Sequence, residues 1–330
     1  RCDAPVLARA GPSVIPARFQ PVLDELAPLA ARFTEAGHRL YLVGGSVRDL
    51  MVEAQGEFDF DLTTDARPDA VKSILRGWAD SVWLQGERFG TVGASKDGRP
   101  YEITTHRAEA YQADSRKPEV QYSDHIEADL ARRDFTINAM ALEVTGNSPA
   151  LVDPHNGMAD LMARVLRTPL SPEESFSDDP LRMLRAARFA SRFNLSIDPA
   201  LEAAAREVAP SLSKESVERV QGELSLLLVT APPSIGLDFI VRTGLADHFL
   251  PELPALQLEQ DPIHQHKDVL AHTWAVVDKT SPRLVLRMAA LLHDIGKPAT
   301  REISPEEGAK CFPFVVAPRP WMTAAVRVTY

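Results

Sequence analysis

Apolar and polar residues alternate strictly through GEFDFDLTT, residues 56–64, with Phe58, Phe60 and Leu62 on one side and Asp59, Asp61 and Thr63 on the other. A period of two marks a strand with one buried face, and its polar side then carries two carboxylates about 7 Å apart. Upstream, the apolar run Leu40–Val43 predicts a short buried strand, Gly44-Gly45-Ser46 a tight turn, and Val47–Asp49 the opening of a helix. PVLDELAPLAARFTEAG, residues 21–37, has helical periodicity with Gly37 as its C-cap, and a further helix follows Pro68 in RPDAVKSILRGWAD. SVWLQG, FGTVGASKDG and RPYEITTHR read as strands with glycine turns, and the polar AEAYQADSRKPEVQYSDH as an aperiodic loop. From Asp153 to about Lys297 the pattern is almost wholly helical.

These elements predict an α+β chain: a head with a small mixed sheet and helices, then an all-α neck and body. The expected divisions are a mobile leader at 1–20, the head at 21–150, a helical neck at 151–235, a further helical domain at 236–305 and an atypical tail at 306–330. No apolar run approaches the length of a membrane span, and the first residues lack the pattern of a secretion signal. Cys2 and Cys311 lie at opposite ends and make no disulfide framework, so a cytoplasmic setting is the expectation. The formal net charge of −10 excludes polyanion binding through overall charge. It leaves room for a local basic surface, and arginines concentrate in LRMLRAARFASRF, residues 181–193.

Chemistry enters through order and spacing. A lone D-x-D is an ordinary strand edge and a lone Gly-Gly an ordinary turn. Strand, glycine turn, helix and carboxylate strand in succession form an apparatus for nucleotidyl transfer. Asp59 and Asp61 suit one or two Mg²⁺ ions held together with a nucleoside triphosphate. The turn at Gly44 and Gly45 lets phosphate approach backbone N–H groups, with Arg48 as a cation beside it. The glycine pair fits neither the dinucleotide fingerprint nor the lysine-bearing phosphate loop. Glu102 becomes a third carboxylate if its strand lies beside the aspartate strand, and is otherwise an exposed strand residue.

SDDPLRMLRAARFA, residues 177–190, opens with good helix-start residues, so capping is one reading of its aspartates. The other starts from the spacing of Asp179 and Arg182, which places an acceptor beside a fork of donors. Cytosine and adenine each show an amino group next to an unprotonated ring nitrogen, matching that pair; uracil and guanine reverse the order. If the pair faces a base, it selects CTP and ATP over UTP and GTP. Arg185 and Arg188 continue the row, either contacting phosphate or holding the helix against the catalytic domain, or else simply as surface ion pairs.

With these motifs in hand, the chain resembles the bacterial class II tRNA nucleotidyltransferases, the CCA-adding enzymes, and their relatives the bacterial poly(A) polymerases, over roughly residues 38–300. LVGGSVRD with DFDLTT resembles the family's metal and triphosphate motif, RRDFTINAMA (132–141) its ribose motif, LVDPHNGMADLMARVLRTP its hinge motif and DDPLRMLRAARF its base-reading template. The resemblance implies Mg²⁺ on Asp59 and Asp61, nucleotide phosphates at Gly45 and Arg48, nucleotide and ribose at Arg133 and Asp134 with Asn138 in support, and the base at Asp179 and Arg182, with Arg185 and Arg188 lining the same pocket. It implies template-independent addition from CTP and ATP to the 3′ end of tRNA, with one ion activating the 3′-hydroxyl and another steadying the triphosphate. Asp178 stands where the family has Glu, and the residues after Asp49 depart from its Leu-Gly.

DVLAHTWAVVD and LRMAALLHDIGKP resemble the metal-dependent HD phosphohydrolase domain, with His272, His293 and Asp294 as ligands of an incomplete second metal site. The expectation is that these three are now chiefly structural. Three competing readings remain open at this level: a poly(A), CC-only or A-only enzyme of the same family, an HD-type phosphohydrolase with a vestigial head, and a non-catalytic RNA-binding protein.

Overall fold

The computed structural model describes residues 16–52, 60–84, 86, 90–109, 120–146, 148–258, 268–304 and 308–311. Asp59 lies outside them, as do the leader through residue 15 and the tail beyond residue 311. The chain divides into two compact units, residues 1–161 and 162–330.

The first unit opens with helix α1 (Gln20–Glu35), which buries Leu26, Leu29, Ala30 and Phe33. It closes as foreseen, with Gly37 at φ +78° and the His38 amide donating to the Phe33 carbonyl. Strand β1 (Leu40–Val43) is followed by helix α2 (Gly45–Met51), then β2 (Phe60–Thr64), α3 (Pro68–Leu75), β3 (Ser81–Trp83), β4 (Thr91–Lys96) and β5 (Arg99–Thr105). The polar stretch read as an aperiodic loop is built differently at its ends: β6 (Arg107–Glu109) and β7 (Val120–Tyr122) pair antiparallel. After α4 (Ile126–Ala131), two three-residue strands, β8 (Ala141–Glu143) and β9 (Ala150–Val152), precede α5 (Gly157–Ala163).

Seven strands form one mixed sheet in the order β3-β4-β5-β2-β1-β8-β9. Only β2 and β5 run parallel; every other pair in it is antiparallel. The alternation read from the sequence sets its faces. Phe60 and Leu62 are buried while Asp61 is exposed, and the Phe60 and Tyr101 rings stack on the buried side with centroids 4.7 Å apart. On the opposite face Tyr41, Val43 and Ala141 pack with Ile126 and Leu130 of α4, which covers one end of the sheet and leaves the Asp61 end exposed.

The second unit begins with the short strand β10 (Val165–Leu166), then α6 (Pro172–Asp178), α7 (Leu181–Phe193), β11 (Ser196–Ile197), α8 (Pro199–Val208), α9 (Val217–Leu228) and α10 (Ser234–Arg242). Helices α11 (Val269–Lys279), α12 (Leu284–Leu292) and α13 (Lys297–Thr300) follow, and an antiparallel pair, β12 (Arg301–Ser304) and β13 (Gly308–Cys311), ends the described chain. Side chains of Ser171, Asp198, Ser216 and Asp268 accept from backbone amides at the starts of α6, α8, α9 and α11, satisfying donors that a helix leaves unpaired. Helix α7 packs on α9 and α10, burying Met183, Leu184, Ala187, Phe189 and Ala190.

Candidate active site

Within the first unit two groups of side chains meet at neighbouring strand ends. The parallel register pairs Asp61 with Glu102, so these exposed carboxylates stand on one face of adjacent strands, about 5 Å apart at the backbone. The condition set on Glu102 from sequence is met: its strand does lie beside the aspartate strand. In β1, Leu42 pairs with Leu62, so one residue further on Val43 and the glycine turn come level with Asp61.

That turn is shaped by Gly44, at φ +67° and ψ −130°, a conformation closed to side-chain-bearing residues. Its amide donates to the Met140 carbonyl at 3.1 Å, tying the turn to the segment that carries Arg133, Asp134 and Asn138. A Cβ on Gly44 would lie 2.5 Å from Nη1 of Arg133, so the guanidinium rests directly on the bare backbone. Helix α2 opens at Gly45, two residues earlier than the sequence suggested.

Arg48 is 3% exposed. Its Nε donates to Asp49 Oδ1 at 2.8 Å, its Nη1 to Asn138 Oδ1, and its Nη2 lies 3.3 Å from the Cβ position of Gly45. Asn138 Nδ2 in turn donates to Asp134 Oδ1 at 2.9 Å, which also accepts from the Phe135 amide at 2.8 Å. Asp129, buried, accepts from Arg133 Nη2 at 3.1 Å. Of the sequence-predicted residues, Arg48, Asn138 and Asp134 are thus one hydrogen-bonded chain, with Gly44 and Gly45 packed against the guanidinium groups of Arg133 and Arg48. Arg48 is locked beneath the turn, with Asp49 offsetting its charge. RRDFTINAMA forms a one-turn 3-10 segment at Thr136–Asn138 leading into β8.

Asp129 was missed from sequence, although its i,i+4 spacing to Arg133 was a signal. So was His106, 1% exposed, directly after β5. Thr63 Oγ1 donates to the Thr104 carbonyl at 2.9 Å, so its contact of 2.8 Å with His106 Nδ1 requires that nitrogen to carry the proton. Burial holds the His106 pKa below its ordinary value of 6.5, which keeps the ring neutral.

In the second unit, Asp179 takes up its capping part: Oδ1 accepts from the Leu181 amide at 3.2 Å and from Arg219 Nη2 at 3.4 Å. Arg182 is half-buried, with Nη1 donating to Ser175 Oγ at 2.8 Å. Arg185 and Arg188 both reach one carboxylate on α9. Arg188 Nε donates to Glu223 Oε2 on α9 at 2.6 Å, and Arg185 Nη1 lies 3.6 Å from Oε1 of the same carboxylate. Glu223, 35 residues downstream of Arg188, had no sequence signal. Ligand atoms of His272, His293 and Asp294 gather within 4.8 Å of one another, a chemically sensible donor set for a divalent ion. Lys297 Nζ, however, sits 2.6 Å from Asp294 Oδ2, so a metal would meet a cation already paired there. No described helix is long and apolar enough to cross a membrane.

Residues 40–167 match the family model described as the poly A polymerase head domain, and residues 194–256 the one described as the probable RNA and SrmB-binding site of polymerase A. A Lacticaseibacillus paracasei protein named CCA-adding enzyme is 35% identical over 276 residues, 81% of this chain and 67% of that protein. One from Limosilactobacillus reuteri is 38% identical over 70% of this chain and 55% of its own length. The chain spans little more than half the length of most curated relatives it matches. Among solved structures, the Bacillus stearothermophilus CCA-adding enzyme in complex with CTP has a TM-score of 0.68 at 28% identity, covering 86% of this chain and 64% of that one. A tRNA nucleotidyltransferase with a primer tRNA and an incoming ATP analog has a TM-score of 0.56 at 25% identity, covering 76% and 74%.

Proposed function

This chain belongs to the family of CCA-adding enzymes, and from that premise we propose that it adds C and A nucleotides, taken from CTP and ATP, to the 3′ end of a tRNA lacking its CCA terminus. The observation that carries the reading is the register pairing of Asp61 with Glu102 level with the Gly44–Gly45 turn. It sets exposed carboxylates about one strand spacing from the glycine turn on which Arg133 rests.

Adjacent, exposed carboxylate oxygens are a donor set that fits Mg²⁺. Asp61, with Asp59 and Glu102, would hold it; when bound it supplies Lewis-acid activation of a hydroxyl and offsets charge on the departing diphosphate. The chain's own part is positional. Backbone N–H groups of the turn and the Arg133 guanidinium receive the triphosphate. Asp134, oriented by Asn138, faces the ribose. Asp179 and Arg182 present an acceptor and donors to the pairing edge of cytosine or adenine, so no nucleic-acid template is needed. The primer 3′-oxygen bonds to the α-phosphorus as the bond to diphosphate breaks, and the hydroxyl proton leaves to water. The setting of such chemistry is the cytoplasm.

The test is incorporation into tRNA lacking CCA, supplied with each nucleoside triphosphate singly and with CTP plus ATP. Addition of two C residues from CTP and one A only afterwards is the expected result. Runs of A from ATP alone would assign poly(A) synthesis. Failure with either CTP or ATP would leave the A-only or CC-only activity.

A further inference from the structure

Four residues on four adjacent strands form one row across the open face of the sheet. Register pairs Trp83 with Gly93, Gly93 with Glu102, and Glu102 with Asp61. Directly paired residues point to the same side, so the row reads indole, bare backbone, carboxylate, carboxylate. The Trp83 indole occupies the space a Cβ on Gly93 would need, with its Nε1 and Cε2 nearest to that position, so any other residue would push the ring away. This lays the ring beside Glu102. Trp83 still exposes 37% of its surface, on an edge strand that exposes all three of its residues.

Strands are spaced about 4.8 Å apart, so the indole above β4 lies about 5 Å from Glu102 and about 10 Å from Asp61 at the backbone. The span from the centre of a nucleobase through its ribose to the 3′-oxygen falls between these two distances, so the hydroxyl of a base stacked on the ring comes to lie between Glu102 and Asp61. An exposed aromatic ring is a sequence-tolerant stacking surface for an unpaired base, which suits a primer end whose last base differs from one substrate tRNA to another and changes with every addition. We propose that Trp83 is the platform on which the 3′-terminal base of the RNA primer stacks, setting its 3′-hydroxyl over the carboxylate pair. Gly93 is the position that leaves room for the ring. The inference rests on the reading of the chain as a tRNA 3′-end nucleotidyltransferase and identifies which part of that substrate the sheet receives.

The experiment is a two-way cycle of dissociation constants, measured by anisotropy of labelled tRNA lacking CCA. Wild type and Trp83→Ala each bind the intact RNA and an RNA whose 3′-terminal nucleotide is abasic. Removing either ring or base is expected to weaken binding about five- to a hundredfold. Removing both should cost no more than one alone, and Trp83→Phe should recover most of the loss. In turnover, KM for tRNA should rise in Trp83→Ala with KM for CTP unchanged. Independent, multiplying losses, or a rise confined to the KM for CTP, would overturn the proposal. Binding needs no turnover, so a wild-type protein that incorporates nothing would count against the functional reading while the cycle still decides the role of Trp83.

Discussion

Asp61 and Glu102 are register partners in the single parallel strand pair of the seven-stranded sheet. Forty-one residues of chain separate them, yet their carboxylates share one exposed face. Replacing Asp61 with Asn should abolish a Mg²⁺ ligand without disturbing packing, because the side chain is exposed. Nucleotide incorporation is expected to fall at least about a hundredfold, with melting temperature unchanged within error. Glu102→Gln should raise the half-saturating Mg²⁺ concentration about tenfold. A titration of activity against Mg²⁺ checks both.

Gly44→Ala introduces a side chain at φ +67° into the space of the Arg133 guanidinium. Backbone strain of about 1–3 kcal/mol is expected, and the turn and the arginine shift together. The measurement is KM for CTP, which should rise severalfold, against KM for tRNA, which should not.

Arg182→Ala removes the donor side of the proposed base-reading pair. Selection against UTP and GTP is expected to weaken at least about tenfold relative to CTP and ATP. Single-nucleotide competition assays give the ratio directly, and a variant with unchanged ratios would dissociate Arg182 from base choice.

Glu223→Gln leaves Arg188 buried opposite a neutral amide and deprives Arg185 of the same partner. A buried arginine without its counter-charge should cost about 3 kcal/mol, read from urea unfolding. Replacing Arg188 and Glu223 together by apolar residues should restore most of that loss, since the desolvation of both charges disappears.

His106 gives a pH dependence with a definite sign. Its folded pKa is lowered by burial, so below pH 6.5 the unfolded chain binds more protons than the folded one. Its contribution to stability is complete above pH 6.5 and is lost as pH falls through the window between 6.5 and the depressed folded value. His106→Asn keeps a donor for Thr63 but does not titrate. Melting temperature measured across pH 5–7 should fall less steeply in the variant.

Much of this was legible in the chain because it is local. Alternation in GEFDFDLTT gave the inside and outside of β2, Gly37 gave the end of α1, and the clustering of Gly44 with Arg133, Asp134 and Asn138 follows motifs of fixed order. What escaped was long-range. Glu223 finds Arg188 across a helix pair, and Trp83 finds Gly93 through strand register, which no single stretch of sequence encodes. Strands β8 and β9, three residues each, are too short to show a period. Asp179 shows the reverse case: the capping chemistry was visible locally, and its Arg219 partner was not.

Asn138 stands between a donor and an acceptor, its oxygen turned to Arg48 and its nitrogen to Asp134. An amide in that position tells its two ends apart, and its hydrolysis to aspartate would preserve one neighbour while setting two anions against each other. A single molecule of water, spent on chemical ageing at this one side chain, would therefore unseat the corner proposed for the ribose while leaving the surrounding strands intact.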